Sequence, residues 1–282
     1  MASDSSDSSD SSFALYNYNP STGAAVAFAI FFAVAIAGHV WQIWRNKSWF
    51  FIPFIIGGLF EIFGYAARYD SAKQSPNWTT MPYVAQELFL LLAPSLFAAS
   101  IYMILGRIIR LLNGGSNSLV RPSWLTKIFV TGDVVSFLMQ CGGGGMLSSS
   151  KTASGQKLGQ DVIVAGLIVQ IISFGFFIVV SAVFHRRMLA TPMHRMIQTT
   201  IPWTRYMKVL YCGSALIMIR SIYRVAEYVQ GSNGYLQSKE AFVYIFDASL
   251  MLICCILFLV FHPSKILKKG AINQNDMEMN GN

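Results

Sequence analysis

The chain has 282 residues, of which 54% are hydrophobic and only 12% are charged. Soluble proteins are about 25% charged, so this composition excludes an ordinary soluble domain, and it also excludes disorder over most of the chain. The formal net charge of +8 suits either a nucleic-acid or a membrane partner, and the positions of the charges decide between them.

The two ends of the chain differ in composition from the rest. The first residues form the low-complexity run MASDSSDSSDSS, which has too few apolar groups to fold and lacks the basic region of a signal peptide. We expect residues 1–15 to form a disordered extracellular tail and residues 266–282 a disordered cytosolic tail. The segment between them, residues 16–265, is expected to be one transmembrane domain.

Seven apolar runs follow one another through this segment, and each approaches the roughly 20 residues that a helix needs to cross a bilayer. They predict spans at about Thr22–Trp44, Trp49–Tyr69, Tyr83–Ile109, Leu125–Leu147, Asp161–Phe184, Tyr206–Val229 and Ala241–Phe261. Pro53 and Pro94 fall inside the second and third spans, where each is expected to cause a kink. The predicted fold class is an all-α integral membrane protein, built as a bundle of seven transmembrane helices.

The lysines and arginines near the span ends predict the orientation, because cytosolic loops are enriched in both. Fourteen of the 21 fall on the side that holds the C-terminus, four on the other side, and three within spans. This pattern places the N-terminus outside and the C-terminus in the cytosol. The basic loops then face anionic lipid headgroups, and nucleic acid is not an expected partner.

Two further signals lie near the predicted span ends. All six tryptophans are close to a span end, as in an interfacial belt. Asn77, in the triplet Asn77-Trp78-Thr79 on the predicted outer side, is a candidate for N-glycosylation.

Eight formal charges fall within the predicted spans, five acids and three arginines. A charge at the centre of a membrane helix costs roughly 2.5–3.5 kcal/mol on insertion scales. These side chains must therefore face the interior of the bundle. They are Glu61, Arg68, Glu87, Asp133, Arg220, Arg224, Glu227 and Asp247.

The spacing of the polar residues places them on single helix faces. Four sets recur with spacings of three or four residues, namely Glu61, Tyr65 and Arg68; Asp133, Ser136 and Gln140; Arg220, Arg224 and Glu227; and Glu240, Tyr244 and Asp247. We interpret them as the lining of a polar, ligand-binding cavity in the outer half of the bundle. Its candidate residues are Glu61, Tyr65, Arg68, Glu87, Asp133, Gln140, Arg220, Tyr223, Arg224, Glu227, Tyr244 and Asp247. The alternative is that these residues are buried ion pairs and hydrogen bonds that only fix the bundle.

Several chemistries lack the residues that they need. A retinal Schiff base would require a lysine inside the last span, and none lies there. Of the four histidines, only His39 lies within a span. We therefore expect no metal, no cofactor and no enzymatic activity.

Several of these patterns occur together in a known family. They are Glu61-x3-Tyr65-x2-Arg68 after Gly57-Gly58; Leu91-Leu92-Ala93-Pro94-Ser95; Asp133-x2-Ser136-x3-Gln140; Arg220-Ser221-x-Tyr223-Arg224-x2-Glu227; and Glu240-x3-Tyr244-x2-Asp247. Over about residues 15–265 the chain resembles the fungal RTA-like (resistance to aminocholesterol) proteins, also called the lipid-translocating exporter family.

The resemblance implies a seven-spanning fungal membrane protein linked to tolerance of toxic lipids and drugs. It also implies export or flipping of sphingoid long-chain bases and, in one branch, porphyrin traffic. We therefore expect a plasma-membrane translocator whose ligands are amphipathic small molecules and whose partners are membrane lipids. The alternatives from other classes are a seven-helix lipid receptor or sensor and a regulator of membrane lipid asymmetry.

Overall fold

A computed structural model describes residues 20–74, 79–150, 152–191, 203–231 and 234–264. Within these ranges the chain is helical between short connections, and no strand occurs. The candidate glycosylation site Asn77 and both predicted tails lie outside the described residues, so those expectations stay predictions.

The helices follow one another in chain order. The long ones are α1 (Thr22–Asn46), α2 (Ile52–Lys73), α3 (Thr80–Leu111), α4 (Pro122–Ser149), α5 (Ala153–Ala190) and α6 (Trp203–Gln230). Two short helices follow, α7 (Tyr235–Ser238) and α8 (Glu240–Val243), then a π-helical turn (Tyr244–Ala248) and α9 (Ser249–Val260). Helix α8, the π turn and α9 together form the last span, Glu240–Val260.

Six helices are long and apolar enough to cross a membrane among the residues that the structure describes. The fourth predicted span corresponds to α4, which has 28 residues but is not among the six. Asp133, Gln140 and the run Gly142–Gly145 explain this difference, because they lower the mean hydropathy of α4. The chain is thus an all-α integral membrane protein.

The ends of α1 show how the sequence sets helix boundaries. The Ser21 hydroxyl accepts a hydrogen bond from the Ala24 N–H at 3.3 Å, which caps the first turn. Lys47 adopts a left-handed conformation with φ 52° and its N–H donates to the Ile43 carbonyl, which ends the helix. Between these caps, Phe31 and Val34 are more than half exposed, as expected of a surface that faces lipid.

Consecutive helices pack against each other, and the last span returns to pack against α1. Helix α3 is the most buried of the spans and also contacts α6 and α5. Helix α3 therefore lies inside the bundle, and it receives polar contacts from both α5 and α6.

Two expectations about individual residues were wrong. Pro53 does not kink a span, because it is the second residue of α2, where no intrahelical acceptor is lost. Trp203 is fully buried and its ring meets His185 edge to face, so it does not belong to an interfacial belt. Trp41, Trp44 and Trp124 are more than half exposed, as the belt requires.

Candidate functional site

A buried set of ion pairs joins α3, α6 and the last span, and we call it the ion-pair network. Arg224 donates to Glu227 at 3.0 Å and to Glu87 at 3.2 Å, and it also donates to Asp247. Arg220 donates to the other oxygen of Asp247. The network thus consists of Glu87, Arg220, Arg224, Glu227 and Asp247, all predicted from the sequence.

Tyrosine and glutamine side chains add hydrogen bonds to the network, while the Nε–H of Arg224 has no acceptor among the described residues. The Tyr223 hydroxyl donates to Glu227 at 3.4 Å, and the Tyr228 hydroxyl donates to Glu87 at 3.3 Å. Gln86 donates to the second oxygen of Glu87 at 3.0 Å. Tyr228 was missed by the sequence reasoning, although it lies four residues after Arg224 and hence on the same helix face.

The proline of α3 explains one contact of Arg220. Pro94 has no N–H and cannot donate to the carbonyl of Leu90, four residues earlier. Arg220 donates to this carbonyl instead. Neighbouring helices in a membrane bundle can satisfy carbonyls that a proline leaves free, and Pro94 was the signal that could have identified Leu90 as the acceptor.

The π turn carries Tyr244 and Asp247. Single π turns inside α-helices are frequent at functional sites. Asp247 lies in the network, whereas the Tyr244 hydroxyl accepts a hydrogen bond from Arg68 at 3.1 Å. The sequence, read with α-helical spacing, predicted the shared orientation of these side chains but not the π turn.

Arg68 belongs to a second cluster near the end of α2. It forms an ion pair with Glu240 at 2.9 Å, and its guanidinium lies 5.3 Å from the centre of the Tyr244 ring. Glu240 also accepts two hydrogen bonds from the Ser21 N–H, at 2.9 and 3.0 Å. This cluster ties the start of α1 to α2 and the last span, and Glu240 was not among the predicted site residues.

Tyr65 links this second cluster to the region of the network. Its ring stacks with Phe32 at 5.8 Å and with Tyr244 at 6.1 Å. Its hydroxyl is buried without a hydrogen-bond partner among the described residues. Its ring thus contacts Tyr244 of the second cluster, and it also interacts electrostatically with Asp247 of the network and with Glu61.

Glu61 is fully buried next to the network. It interacts electrostatically with Asp247, Arg220 and Arg224. Neither of its carboxylate oxygens has a hydrogen-bond partner in the described part of the chain. Glu61 therefore lies in the same polar region but outside the network of ion pairs.

Asp133 and Gln140 lie in a separate polar group, between α3, α4 and α5. Gln140 donates to Ser136 at 2.8 Å and to Gln170 at 3.2 Å, and Gln170 donates to Ser95 at 3.0 Å. The hydrogen bonds of this group join α3, α4 and α5, whereas the contacts of the ion-pair network join α3, α6 and the last span. The predicted residues thus divide into three groups, namely the network with the adjacent Glu61, the second cluster around Arg68, and this group with Asp133 and Gln140.

Asp133 is 4% exposed. The Tyr102 hydroxyl interacts electrostatically with its carboxylate from α3. The two groups do not reach hydrogen-bond geometry, and neither has another such partner within the described ranges. Tyr102 was not predicted as a site residue, since its apolar neighbours in the sequence give no polar signal.

The region around the network contains more acids than bases. Glu61, Glu87, Glu227 and Asp247 face two guanidinium groups, those of Arg220 and Arg224. Its formal charge is therefore −2 when all groups are ionised. Such an excess inside a membrane bundle is costly unless a cation or a proton compensates it. Among the described residues, no group of three or more His, Cys, Asp or Glu is placed to hold a metal ion.

Several known proteins are similar to this chain over most of its length. The family model for RTA1 like protein matches residues 54–270. Protein RTM1 of Saccharomyces cerevisiae is 35% identical over 91% of this chain and 94% of its own length. Protoporphyrin uptake protein 1 of Saccharomyces cerevisiae is 36% identical, over 89% of this chain and 92% of its own.

A third relative has a transport function in its name. The sphingoid long-chain base transporter RSB1 of Saccharomyces cerevisiae is 25% identical over 86% of this chain and 72% of its own length. No solved structure matches the chain.

Proposed function

The chain belongs to the RTA1-like family, and on this premise we propose that it translocates amphipathic lipids such as sphingoid long-chain bases. The proposal places it in the plasma membrane, where such activity confers tolerance to toxic lipids or drugs. Membrane lipids and an amphipathic small molecule are its proposed partners. The name of the relative RSB1 supports this substrate class.

The proposed topology has seven spans, with the N-terminus outside and the C-terminus in the cytosol. Helix α4 has 28 residues, and at 1.5 Å per residue it is roughly 42 Å long. It packs between α3 and α5, which are both among the six apolar spans. A helix of this length in this position supports a seventh crossing.

The observation that carries the proposal is the excess of acid around the ion-pair network. A sphingoid base has an ammonium headgroup, and a region of four carboxylates and two guanidiniums offers such a headgroup a favourable partner. We propose that the network, Glu61 and Tyr65 form the part of a polar cavity that receives the headgroup. The other predicted polar group, with Asp133 and Gln140, forms a further part of the lining.

The long tail of the lipid needs no polar cavity. Large apolar residues such as Ile30, Phe31 and Val34 are exposed on the outer surface of α1. A tail can therefore stay in contact with the outer surface of the bundle and with surrounding lipid while the headgroup crosses.

Reconstitution tests the proposal. Purified protein in liposomes should speed the movement of a fluorescent sphingoid base between leaflets, relative to liposomes without protein. Binding of the base without movement would contradict the translocator function and favour a lipid receptor or sensor.

A further inference from the structure

Glu61 differs from the other acids around the ion-pair network. Glu87, Glu227 and Asp247 each bind at least one guanidinium. Glu61 is 0% exposed, and neither of its oxygens has a hydrogen-bond partner among the described residues. An ionised carboxylate buried in this way costs several kcal/mol, so this group requires a compensating positive charge or a proton.

The two nearby arginines do not supply that charge directly. Asp247 accepts from Arg220 through one oxygen and from Arg224 through the other. Arg220 also donates to the Leu90 carbonyl. The hydrogen bonds that these two side chains make in the described ranges are thus all to groups other than Glu61, and the Nε–H of Arg224 has no acceptor there.

The remaining surroundings of Glu61 are acidic, phenolic, thiol or apolar. Besides the two arginines of α6, the titratable groups that interact with it are Asp247, Cys254 and Cys255 of the last span and Tyr65 of α2 itself. Helices α1 and α3 pack on the same stretch of α2 through apolar side chains, Ile36 on Gly58 and Leu90 on Gly64. Arg220 and Arg224, both of α6, are thus the basic side chains that interact electrostatically with Glu61 in the described ranges.

We propose that Glu61 is a proton-binding site that exchanges its proton for a cationic ligand. At rest the carboxyl group carries the proton. When a positive charge arrives beside Glu61, the O–H bond breaks, the proton leaves to the aqueous phase, and the carboxylate pairs with the cation. One positive charge enters and one leaves, so the formal charge of the buried region is −1 in both states.

This exchange supplies the coupling of the proposed transport, and it rests on the proposed function. Movement of a cationic amphipath in one direction is linked to movement of a proton in the other. Glu61 is suited to this role because its proton transfer breaks no ion pair, whereas protonation of Asp247 would disrupt contacts with two arginines.

Infrared spectroscopy of the purified protein tests the proton itself. The carbonyl stretch of a protonated, buried carboxyl group should be present in the wild type and lost in Glu61→Gln. It should persist, at a shifted position, in Glu61→Asp. Asp70→Asn is the matched control, because Asp70 is an exposed acid on the same helix, and it should leave the band unchanged. An identical band in the wild type and Glu61→Gln would overturn the proposal.

A transport measurement tests the exchange and separates it from the proposed function. The probe is a quaternary ammonium amphipath, which cannot carry a proton, and the liposomes hold a pH-sensitive dye. Export of the probe from the lumen by wild-type protein should acidify the lumen. Movement of the probe without acidification would overturn the exchange and leave the translocator function intact. No movement of any base, with the infrared band of Glu61 present, would contradict the translocator function and support the proton-binding site.

Discussion

The contact between Arg220 and the carbonyl that Pro94 leaves free can be tested by combining two substitutions. Arg220→Leu removes the donor to the Leu90 carbonyl, and an unsatisfied buried acceptor costs about 1–3 kcal/mol. Pro94→Ala restores an N–H that donates to the same carbonyl within α3. In the double variant the carbonyl therefore keeps a donor.

The magnitude follows from a double-mutant cycle. Arg220→Leu removes the ion pair with Asp247 whether or not the proline is present. The free-energy cost of this loss therefore cancels in the cycle. The double variant should be about 1–3 kcal/mol more stable than the sum of the two single effects predicts. Pro122→Ala is the control, because Pro122 lies in the first turn of α4 and frees no carbonyl. Its effect should add to that of Arg220→Leu.

Cysteine labelling provides the assay. Cys254 and Cys255 are fully buried, so a thiol-reactive dye labels them when the protein unfolds. Cys141 and Cys212 are partly buried and exposed, respectively, and would be replaced by alanine. Unfolding free energies are then measured by denaturant titration in detergent. Additivity of Pro94→Ala and Arg220→Leu within about 0.5 kcal/mol would show that Arg220 does not stabilise the carbonyl that Pro94 leaves free.

Three other predictions concern the packing, the network and the topology. A Cβ on Gly143 would lie 2.6 Å from the Gly159 carbonyl oxygen, whereas one on Gly142 would meet nothing within 4 Å. Gly143→Ala should therefore destabilise the protein by about 1–3 kcal/mol, and Gly142→Ala is its control. Equal effects of the two variants in thermal unfolding would contradict the packing of α4 on α5. Asp247→Asn should lower the free energy of unfolding by about 3–5 kcal/mol, because it leaves two buried arginines short of a partner. Glu61→Gln breaks no hydrogen bond and should lower it by at most about 1 kcal/mol. A larger loss for Glu61→Gln than for Asp247→Asn in the cysteine assay would argue against the network. Endoglycosidase treatment of the protein from its native membrane should reduce its apparent mass, and Asn77→Gln should abolish this change. A fully unglycosylated wild type would remove the support that Asn77 gives to an outer location of its loop.

The sequence predicted which segments are helical better than where the helices end. The fifth span was expected at Asp161–Phe184, and the helix extends over Ala153–Ala190. Hydropathy marks the part of a helix that needs an apolar environment, whereas hydrogen bonding continues the helix into more polar sequence at both ends. Thr152 caps the first turn by accepting from the Gly155 N–H, a local signal that hydropathy does not register.

The spacing of the polar residues predicted which helix faces carry the site residues, but not which of these residues bind each other. Helical periodicity places Glu61, Tyr65 and Arg68 on one face of α2. It cannot show that Arg68 binds Glu240 while Glu61 binds no described residue. Those outcomes depend on which helices are neighbours and on the depth at which they cross, and tertiary packing sets both.

The separation of Asp133 from the network has the same origin. Its face of α4 is directed at α5 and α3, where Ser136 donates to the Gly166 carbonyl at 2.6 Å. An acid inside a span must face the bundle interior, but a bundle that closes around a central helix has more than one interior face. The sequence alone therefore predicted one polar space, whereas the structure has a separate polar group between α3, α4 and α5.

The central claim is that an acidic region inside the bundle receives the cationic headgroup of an amphipathic lipid. Its most direct test compares three fluorescent amphipaths with the same tail and a cationic, neutral or anionic headgroup, in liposomes that contain the purified protein. The account predicts that the cationic probe crosses fastest relative to protein-free liposomes, and that Glu61→Gln reduces this advantage. Equal rates for the three headgroups, or a faster anionic probe, would contradict it.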